Sequence, residues 1–378
     1  MQQEFFGFGS IKKLKELFDE HKPRHFFLIT GKKSFSLSGA EDKVKSLLGE
    51  TRYTQFNSFS VNPDIHEVKK GIDLFKSCNP DIVIGIGGGS VIDMAKTVNI
   101  LAIHNGEIEL YITNKKRLEK QGVPLITIPT TSGTGSEATH FATIYIDKNK
   151  YSLGDRKLTL PTISIIDPSL TESMPRYLTA STGLDALCQG IESLWAVDST
   201  EESRKYAKEA VKIAVNTIEK AVNNPDKESR LNMAKAAHLS GKAINISKTT
   251  ACHSISYPIT SYFGVAHGHA VALTMPQMIE FNSEVSEKDC NDRRGEDFVK
   301  ARVNEIIGLI YAKDAIDAKQ KFQTLMKKIG IKGRLGRLDI DYNGSRLIIN
   351  KGFTPDRMNN NPRVVMKDDL KKIMDEIL

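Results

Sequence analysis

Short apolar runs alternate with helical patterns along the first half of the chain. The runs are rich in β-branched and aromatic residues, and between them apolar positions recur at the 3.6-residue spacing of a helix. The predicted strands are residues 25–30, 53–56, 81–86, 125–128, 143–146 and 162–166. This order predicts repeated βα units, and the apolar character of residues 82–86 predicts an interior parallel strand covered by helices on both faces. We therefore expect a doubly wound parallel sheet.

The second half of the chain carries long amphipathic helical patterns in place of strands. One of them spaces its apolar residues as a helix face does, at Ala207, Ala210, Val211, Ala214, Ile218 and Val222. Pro175, Pro225 and Pro258 fall between such stretches and predict helix boundaries, because proline cannot continue a helix interior. The change of pattern predicts an α/β domain over residues 1–172 and an all-α domain over residues 173–378.

The composition of the chain excludes several classes of protein. The 378 residues carry a net charge of +7, but the nearest approach to a basic cluster is Lys115-Lys116-Arg117, so we expect no nucleic-acid partner. The positive balance weakly favours anionic ligands. The four cysteines are far apart and predict neither a disulfide framework nor a zinc ribbon, and the sequence shows no signal peptide or membrane-spanning apolar run. We therefore expect a cytoplasmic protein with no membrane partner.

A glycine-rich turn follows the predicted strand 81–86. Gly87-Gly88-Gly89-Ser90 leads directly into a helical pattern, and its glycines allow the backbone to approach a pyrophosphate closely. The amides at the start of the following helix also favour negative charge. Judged alone, an ordinary tight turn between a strand and a helix is the commoner source of such a sequence.

A second loop, residues 129–137, follows the predicted strand 125–128 and is dense in glycine and hydroxyl groups. Such a loop is able to wrap the ribose beside a nicotinamide ring. The same residues also fit a Ser/Thr-rich helix cap with Glu137 in the first helical turn. The residues alone leave both interpretations open.

Metal-ligand residue types occur at three places in the helical half. Asp185 and Gln189 are four residues apart and share one helix face, and His253 and the segment His267-Gly268-His269 follow later. A carboxylate with two imidazoles is a suitable ligand set for a divalent metal. Residues this far apart are also common as ordinary buried polar groups, and spacing alone favours that simpler interpretation.

Taken in order, these motifs resemble the iron-containing (group III) alcohol dehydrogenase family over nearly the whole chain. The resemblance rests on residues 87–96, 129–137, 167–168, 182–187 and 267–268, which read GGGSVIDMAK, PTTSGTGSE, DP, TGLDAL and HG. It implies a dinucleotide-binding α/β domain and a helical metal- and substrate-binding domain, the architecture shared with dehydroquinate synthase. It also implies a divalent metal, iron or zinc, that polarises the substrate oxygen next to the nicotinamide.

The resemblance also assigns site residues one at a time. It implies cofactor contacts at Gly87, Gly88, Gly89, Ser90, Asp93, Thr130, Thr131, Thr134 and Lys157. Asp93 is expected to open the helix after the glycine turn, and Lys157 to reach the cofactor ribose. Asp185, His253 and His267 fall on three of the family's four metal-ligand positions.

Three positions depart from the family pattern. Gln189 stands at the fourth ligand position, where most members carry histidine, so we expect a weakly held metal because a carboxamide oxygen is a poorer ligand than imidazole. Tyr257 stands where some members carry a further histidine, and with His267 it is a predicted catalytic residue. Gly31 stands where NAD-dependent members carry aspartate. Gly31 leaves room for a 2′-phosphate, and Ser34 and the two lysines between them offer a hydroxyl and positive charge. This segment predicts NADP(H) over NAD(H). The alternative is that the two lysines are ordinary solvated side chains.

Within the family, residues 185–199 and 253–269 are most similar to the phosphonoacetaldehyde reductases, which make 2-hydroxyethylphosphonate in phosphonate biosynthesis. We therefore expect an NAD(P)H-dependent reductase of a small anionic aldehyde, with Lys248, Arg357 and Arg363 as candidate contacts of the anion. A general short-chain alcohol dehydrogenase, a dehydroquinate synthase-like lyase and a binding protein with a decayed site are the alternatives. A homodimer is compatible with the sequence.

Overall fold

The chain divides into two compact units in a computed structural model that describes residues 2–378. The first unit ends at Met174 and the second spans Pro175–Leu378, two residues after the predicted domain boundary. The first unit is built on a parallel sheet and the second is helical. The predicted fold class is therefore confirmed.

The first unit contains a six-stranded parallel sheet and a separate hairpin. Its strands are β1 (Gln3–Phe6), β2 (Phe26–Thr30), β3 (Tyr53–Phe56), β4 (Ile82–Gly87), β5 (Leu125–Pro129), β6 (Phe141–Ile146), β7 (Asn149–Gly154) and β8 (Ile163–Ile166). Its helices are α1 (Lys13–His21), α2 (Ser34–Leu37), α3 (Ala40–Leu48), α4 (Ile65–Cys78), α5 (Gly89–Leu101) and α6 (Ile108–Ile112), with 3-10 turns at Ser10–Lys12, Ser136–Ala138 and Pro168–Thr171. The strand order in the sheet is β1-β8-β5-β4-β2-β3, and β6 pairs with β7.

The central strands are apolar on both faces because helices cover both. Phe27 of β2 and Val83 of β4 pack into one core with α4 and α5, whereas Phe26 and Ile84 pack into a second core with α1 and α3. Every residue of β4 is buried. Gly85 lets α5 approach closely, because a Cβ there would lie 2.8 Å from the Cβ of Ala95. The prediction of an interior parallel strand is thus confirmed.

The predicted strand 143–146 does not belong to a βα repeat. It forms the end of β6, which pairs antiparallel with β7 through a two-residue turn at Asp147 and Lys148. Both turn residues have positive φ, 48° and 63°, as the turns that join twisted hairpin strands require. Asp-Lys lacks the glycine that usually marks such a turn, which explains why the sequence pattern did not predict β7. The edge strand β1 was not predicted from the sequence either.

The second unit consists of helices. They are α7 (Arg176–Trp195), α8 (Glu201–Asn223), α9 (Lys227–Ser247), α10 (Ala251–Phe263), α11 (His267–Ala272), α12 (Met275–Ser283), α13 (Glu296–Leu309), α14 (Ala315–Lys328), α15 (Tyr342–Lys351), α16 (Pro355–Met358) and α17 (Lys367–Ile377), with a 3-10 turn at Leu335–Leu338. The apolar face predicted for α8 is buried in the core. Among the described residues, none of the helices combines the length and the apolar character needed to cross a bilayer.

Two of the three proline boundaries are correct and one is wrong. Pro175 directly precedes α7, and Pro225 lies between α8 and α9. Pro258, in contrast, lies inside α10 and is buried there. A proline inside a helix costs about 3 kcal/mol or more, so packing must offset the loss. That packing involves α15 and α16, which both contact α10.

Two loops of the first unit meet where the strand order reverses. The chain passes from β3 back across β2 to β4 and then continues outward to β5, so the reversal lies between β2 and β4. The carboxyl ends of these strands lead into Gly31 and into the glycine turn 87–90. Open α/β sheets bind their ligands at this position. The fold therefore places the predicted cofactor loops at one edge of the sheet.

A glycine also controls the packing of α11 against α7. A Cβ at Gly268 would lie 2.0 Å from the carbonyl oxygen of Ser181 and 2.7 Å from the Cβ of Asp185. Both are parts of a buried helix that cannot move aside cheaply. The approach of α11, and with it the position of His267, depends on this missing side chain.

We expect Gly268→Ala to lower the free energy of unfolding by about 3 kcal/mol or more, at the upper end of overpacking costs, because the clash is with backbone. Denaturant unfolding followed by circular dichroism measures the change. Gly308→Ala is the matched control. A Cβ at Gly308 in α13 meets no atom within 4 Å, so we expect a gain of about 0.5 kcal/mol there. Equal stability of the two variants would refute the packing argument.

Candidate metal centre and cofactor loops

The three candidate metal ligands meet where α7, α10 and α11 converge. Asp185 lies in the middle of α7, His253 in the first turn of α10, and His267 is the first residue of α11. One ligand atom from each residue lies within 4.8 Å of the others. Asp185 and His253 are buried and His267 is half-buried. The tertiary structure thus assembles three residues that the sequence only suggested.

Glu192 is a fourth member of this centre that sequence reasoning missed. It lies two turns after Asp185 on α7 and is fully buried. Its Oε1 accepts hydrogen bonds from Thr250 Oγ1 at 2.9 Å and from the backbone N–H groups of Cys252 and His253 at 2.9 and 3.3 Å. Its Oε2 pairs with His253 Nδ1. The seven-residue spacing from Asp185, which repeats a helix face, is the signal that could have identified it.

The electrostatics of this pair fix the protonation of His253. Burial alone would lower the pKa of His253 and raise that of Glu192. The attraction between the two groups outweighs burial. Together with Asp185 it raises the pKa of His253 to about 9, and together with hydrogen bonds from Thr250 it lowers the pKa of Glu192. Because both oxygens of Glu192 act as acceptors, Nδ1 of His253 is the donor. With a pKa of about 9 the ring also carries a proton on Nε2 at neutral pH, and a metal ion would bind this nitrogen by displacing that proton.

The residues present fit a divalent metal. His253 Nε2 is buried, makes no hydrogen bond to any described residue and lies 3.4 Å from Asp185 Oδ1. A nitrogen lone pair and a carboxylate oxygen so close together repel each other unless a proton or a cation lies near both. One carboxylate oxygen and two imidazole nitrogens form a donor set that suits zinc or iron(II).

Gln189 lies on α7 one turn after Asp185 and is buried. Its Oε1 accepts a hydrogen bond from Ser240 Oγ of α9 at 3.0 Å. The carboxamide oxygen is neutral and already accepts this hydrogen bond, and both facts make it a weaker metal donor than imidazole. Coordination by Gln189 remains a prediction.

Tyr257 lies one turn after His253 on α10 and stacks on the other histidine of the centre. Its ring centroid is 6.4 Å from that of His267, with 22° between the ring planes. Its hydroxyl accepts a hydrogen bond from Arg357 Nε at 3.4 Å. Tyr257 is therefore adjacent to the metal ligands, and its catalytic role, like that of His267, remains a prediction.

His269 forms hydrogen bonds to residues outside the metal cluster. His269 Nε2 donates to the carbonyl oxygen of Lys332 at 2.8 Å, and its Nδ1 lies 3.0 Å from the hydroxyl of Tyr177. Burial lowers the pKa of His269, which favours the neutral ring that accepts from Tyr177. His269 therefore holds α11 in place and is not part of the metal cluster.

The glycine turn of the first unit is packed against the loop that follows β5. Gly87 ends β4, Gly88 caps α5, and α5 begins at Gly89. A Cβ at Gly88 would lie 3.4 Å from Thr131, and one at Gly89 would lie 2.8 Å from Thr134. The first distance is an ordinary contact and the second is a clash, so the missing side chain of Gly89 lets the two predicted cofactor loops touch. They are also joined by a hydrogen bond of 2.9 Å from Thr130 N to the carbonyl oxygen of Gly87.

Asp93 does not open α5, because the helix begins four residues earlier, at Gly89. Its carboxylate accepts hydrogen bonds from Ser136 Oγ at 2.7 Å and from Thr143 N at 3.1 Å. Burial raises its pKa, although neighbouring donors and Lys96 oppose the shift. Its cofactor role remains a prediction, and its side-chain hydrogen bonds in this structure are with the loop after β5 and with β6.

Lys96 is a buried cation that sequence reasoning did not assign. It donates to the carbonyl oxygens of Ser136 and Phe141 at 2.6 and 2.7 Å, and to Thr139 Oγ1 at 3.2 Å. Burial lowers its pKa to about 8, while the charges of Asp93 and Glu137 act in the opposite direction. Lys96 therefore holds the loop after β5 on α5. Glu137 itself lies in the first turn of the 3-10 helix Ser136–Ala138, as the helix-cap interpretation expects, but the N-cap residue is Gly135, which offers no side chain to cap this turn.

The remaining cofactor candidates lie in the segments that follow β2 and β7. Gly31 follows β2, and a Cβ there would lie 2.2 Å from Ser34 Oγ and 3.7 Å from Val91 of the glycine-turn helix. Ser34 opens the short helix α2 and is exposed, as are the two lysines before it. Lys157 is exposed in a turn after β7, where its backbone N–H donates to Asp155.

Only one of the three basic candidates for an anionic substrate lies at the metal cluster. Arg357 reaches Tyr257. Arg363 instead pairs with Asp289 at 2.7 Å and donates to the carbonyl oxygen of Phe281. Lys248 is on the surface, 3.2 Å from Asp356.

Comparison with known proteins decides what this arrangement is. Residues 2–168 match the family model of the iron-containing alcohol dehydrogenases, and residues 179–378 match that of the C-terminal region of the Fe-containing alcohol dehydrogenase family. The chain belongs to the iron-containing alcohol dehydrogenase family. It is therefore an NAD(P)-dependent oxidoreductase, and the family resemblance found in its motifs is confirmed.

Relatives of this iron-containing alcohol dehydrogenase carry the names of alcohol dehydrogenases and aldehyde reductases with different substrates. It is 32% identical over 315 residues to the phosphonoacetaldehyde reductase of Streptomyces viridochromogenes, covering 80% of this chain and 77% of that protein. It is 30% identical over 381 residues to the NADPH-dependent butanol dehydrogenase of Clostridium saccharobutylicum, covering 98% and 95%. The sulfoacetaldehyde reductase of Bifidobacterium kashiwanohense, solved in complex with NAD+, has a TM-score of 0.87 and 26% identity, covering 100% and 96%.

We expect Glu192→Gln to weaken metal retention. The amide would keep its oxygen towards Thr250 and the N–H groups of α10, and its NH2 would then face His253 Nδ1. That nitrogen would have to become an acceptor, which moves the ring proton to Nε2 and blocks the metal-binding atom. Loss of such a partner costs about 10- to 100-fold in metal affinity. Elemental analysis after graded chelator dialysis measures it.

Asp292→Asn is the matched control for this prediction. Asp292 is also a buried carboxylate of the second unit, but it pairs with Arg294 at 2.6 Å and contacts none of the ligands. We expect its substitution to leave metal content unchanged. Wild-type metal retention in Glu192→Gln would show that Glu192 does not set the ring proton of His253.

Proposed function

We propose that this iron-containing alcohol dehydrogenase reduces a small aldehyde to an alcohol with NADPH, and that phosphonoacetaldehyde, giving 2-hydroxyethylphosphonate, is its preferred substrate. The reaction consumes the aldehyde, NADPH and one proton and yields the alcohol and NADP+. The cluster of Asp185, His253 and His267 beside Tyr257 is the observation that carries the proposal. The 32% identity to a phosphonoacetaldehyde reductase supports the choice of aldehyde.

The second unit supplies the groups that act on the carbonyl oxygen. When bound, a divalent ion acts as a Lewis acid on this oxygen, while the reduced nicotinamide gives hydride to the carbonyl carbon. Asp185, His253 and His267 would hold the ion, and Gln189 would supply at most a neutral oxygen. We therefore propose a metal, iron or zinc, that is held weakly.

Tyr257 is the proposed proton donor to the reduced oxygen. Its hydroxyl oxygen accepts a hydrogen bond from Arg357 Nε, so the hydroxyl proton is directed away from Arg357. The positive charge of Arg357 also favours the phenolate that would remain after the transfer. His267 would orient the phenol by stacking on its ring.

The first unit would hold the cofactor. The glycine turn, residues 87–90, offers backbone amides at the start of α5 to the pyrophosphate. Thr130, Thr131 and Thr134 line the neighbouring loop, and Lys157 would reach the ribose. We thus assign residues 1–172 to cofactor binding and residues 173–378 to metal and substrate.

We propose NADP(H) as the preferred cofactor because of Gly31. The Ser34 hydroxyl occupies the space that a side chain at position 31 would need, and the two residues between them are exposed lysines. A 2′-phosphate would find a hydroxyl donor and positive charge there, with no carboxylate to repel it.

A general short-chain alcohol dehydrogenase is the second candidate function. The 30% identity to a butanol dehydrogenase, which covers 98% of this chain, favours it. The two candidates differ only in whether the substrate carries an anionic group.

An aldehyde panel tests the proposed substrate. With NADPH and metal-analysed enzyme, we expect kcat/KM for phosphonoacetaldehyde to exceed that for propanal and butanal by about tenfold or more, the value of one or more charged hydrogen bonds. Steady-state rates of NADPH oxidation measure it. Equal values for the three aldehydes would make the general dehydrogenase the better description.

Gly31→Asp tests the cofactor assignment. We expect the wild type to have the higher kcat/KM with NADPH, and Gly31→Asp to prefer NADH, because the new carboxylate repels a 2′-phosphate and accepts from a free ribose. Gly31→Ala introduces the same crowding against Ser34 without charge, and we expect it to retain the NADPH preference. A wild-type preference for NADH would place the discriminating group elsewhere.

A further inference from the structure

Arg357 is held beside α10 by a pair of hydrogen bonds from one serine. Ser254 Oγ donates to the carbonyl oxygen of Gly352 at 2.6 Å and accepts from the backbone N–H of Thr354 at 2.8 Å. The chain then turns into α16, which carries Arg357. Ser254 and Tyr257 are three residues apart and share a face of α10. This face therefore fixes where Arg357 lies.

The guanidinium of Arg357 is only partly used by the protein. Its side chain is 12% exposed. Nε donates to Tyr257 Oη at 3.4 Å and Nη1 to Asp356 Oδ2 at 2.9 Å. Nη2 makes no hydrogen bond to any residue that the structure describes. A largely buried guanidinium with donors to spare is suited to an oxyanion, which it binds through two parallel N–H groups.

The position of this guanidinium relates it to the metal cluster. It contacts Tyr257, whose ring stacks on the ligand His267. One side chain thus separates a cationic group from a metal ligand. An aldehyde whose oxygen lies at the metal would bring a group carried one or two carbons away into the neighbourhood of Tyr257.

We propose that Arg357, positioned beside Tyr257, forms an anion subsite that selects aldehydes carrying a phosphonate, sulfonate or carboxylate close to the carbonyl carbon. The assignment of the aldehyde end rests on the proposed function. The anion would accept hydrogen bonds from Arg357 Nη2 and from Arg357 Nη1, which in this structure donates to Asp356.

Asp356 does not prevent this role. It is exposed on 61% of its side chain, and its other oxygen lies 3.2 Å from Lys248 Nζ. Exposed ion pairs of this kind contribute little, because water competes for both charges. Lys248 can compensate Asp356 while Arg357 binds a ligand.

Ethylphosphonate is a suitable probe because it carries the anion and lacks the aldehyde. We expect it to inhibit propanal reduction competitively in the wild type. In Arg357→Gln its inhibition constant should rise by about tenfold or more, since charged hydrogen bonds are lost. Arg357→Lys, which keeps the charge but not the two-pronged geometry, should lie between them. Calorimetric titration of the metal-loaded protein with ethylphosphonate gives the same ranking independently of activity.

Arg363→Gln is the matched control, because Arg363 is a similarly enclosed arginine of the same unit whose donors are directed at Asp289, Glu284 and Phe281. We expect it to bind ethylphosphonate as the wild type does. Circular dichroism of each variant confirms folding. Absence of ethylphosphonate binding in the wild type, or equal binding by Arg357→Gln, which would place the anion directly on the metal, overturns the proposal.

This outcome is separable from that of the proposed function. If the aldehyde panel shows no preference for phosphonoacetaldehyde but ethylphosphonate still binds through Arg357, the preferred substrate is wrong, and Arg357 binds anions without selecting this aldehyde. If phosphonoacetaldehyde is preferred and Arg357→Gln keeps that preference, the function stands and the subsite is wrong. If no aldehyde is reduced, the calorimetric comparison alone decides.

Discussion

The buried carboxylate of Glu192 is the constraint on which the metal centre depends. Removing a carboxylate from water costs several kcal/mol unless donors surround it. Here the donors are the hydroxyl of Thr250, two N–H groups in the first turn of α10 and the ring of His253. The N–H groups at the start of a helix have no partner within that helix. The buried carboxylate of Glu192 thus accepts hydrogen bonds from these N–H groups, fixes α10 against α7 and sets the protonation of His253.

Close backbone approach is a second requirement, and it recurs in both units. Gly268 lets α11 pack directly against α7, which places His267 beside Asp185 and His253. In the first unit, Gly89 allows the turn after β4 to touch the loop after β5. A methyl group at Gly268 or at Gly89 would clash with the facing element, so these glycines act through packing as well as through turn geometry.

Helix α10 serves two purposes with adjacent residues. His253 faces Asp185 and Glu192, while Ser254 and Tyr257 contact the segment that begins at Gly352. The same short helix therefore connects the proposed metal to the proposed anion subsite. Because Pro258 also lies inside this helix, its stability depends on the elements packed around it.

The sequence by itself determined the features that short stretches of chain encode. Strand and helix periodicity predicted the parallel sheet and the helical half, and the motifs with their family resemblance indicated Asp185, His253 and His267. Contacts between distant segments were decided by the tertiary structure alone. It paired β6 with β7, accommodated Pro258 within a helix, surrounded Glu192 with donors about sixty residues away in the chain and directed Ser240 to Gln189. It also brought Arg357, and not Arg363, into contact with Tyr257, although the two were equivalent candidates in the sequence. The physical reason is that hydrophobic periodicity records which face of an element is buried, whereas the partner of a buried polar group depends on which elements pack together.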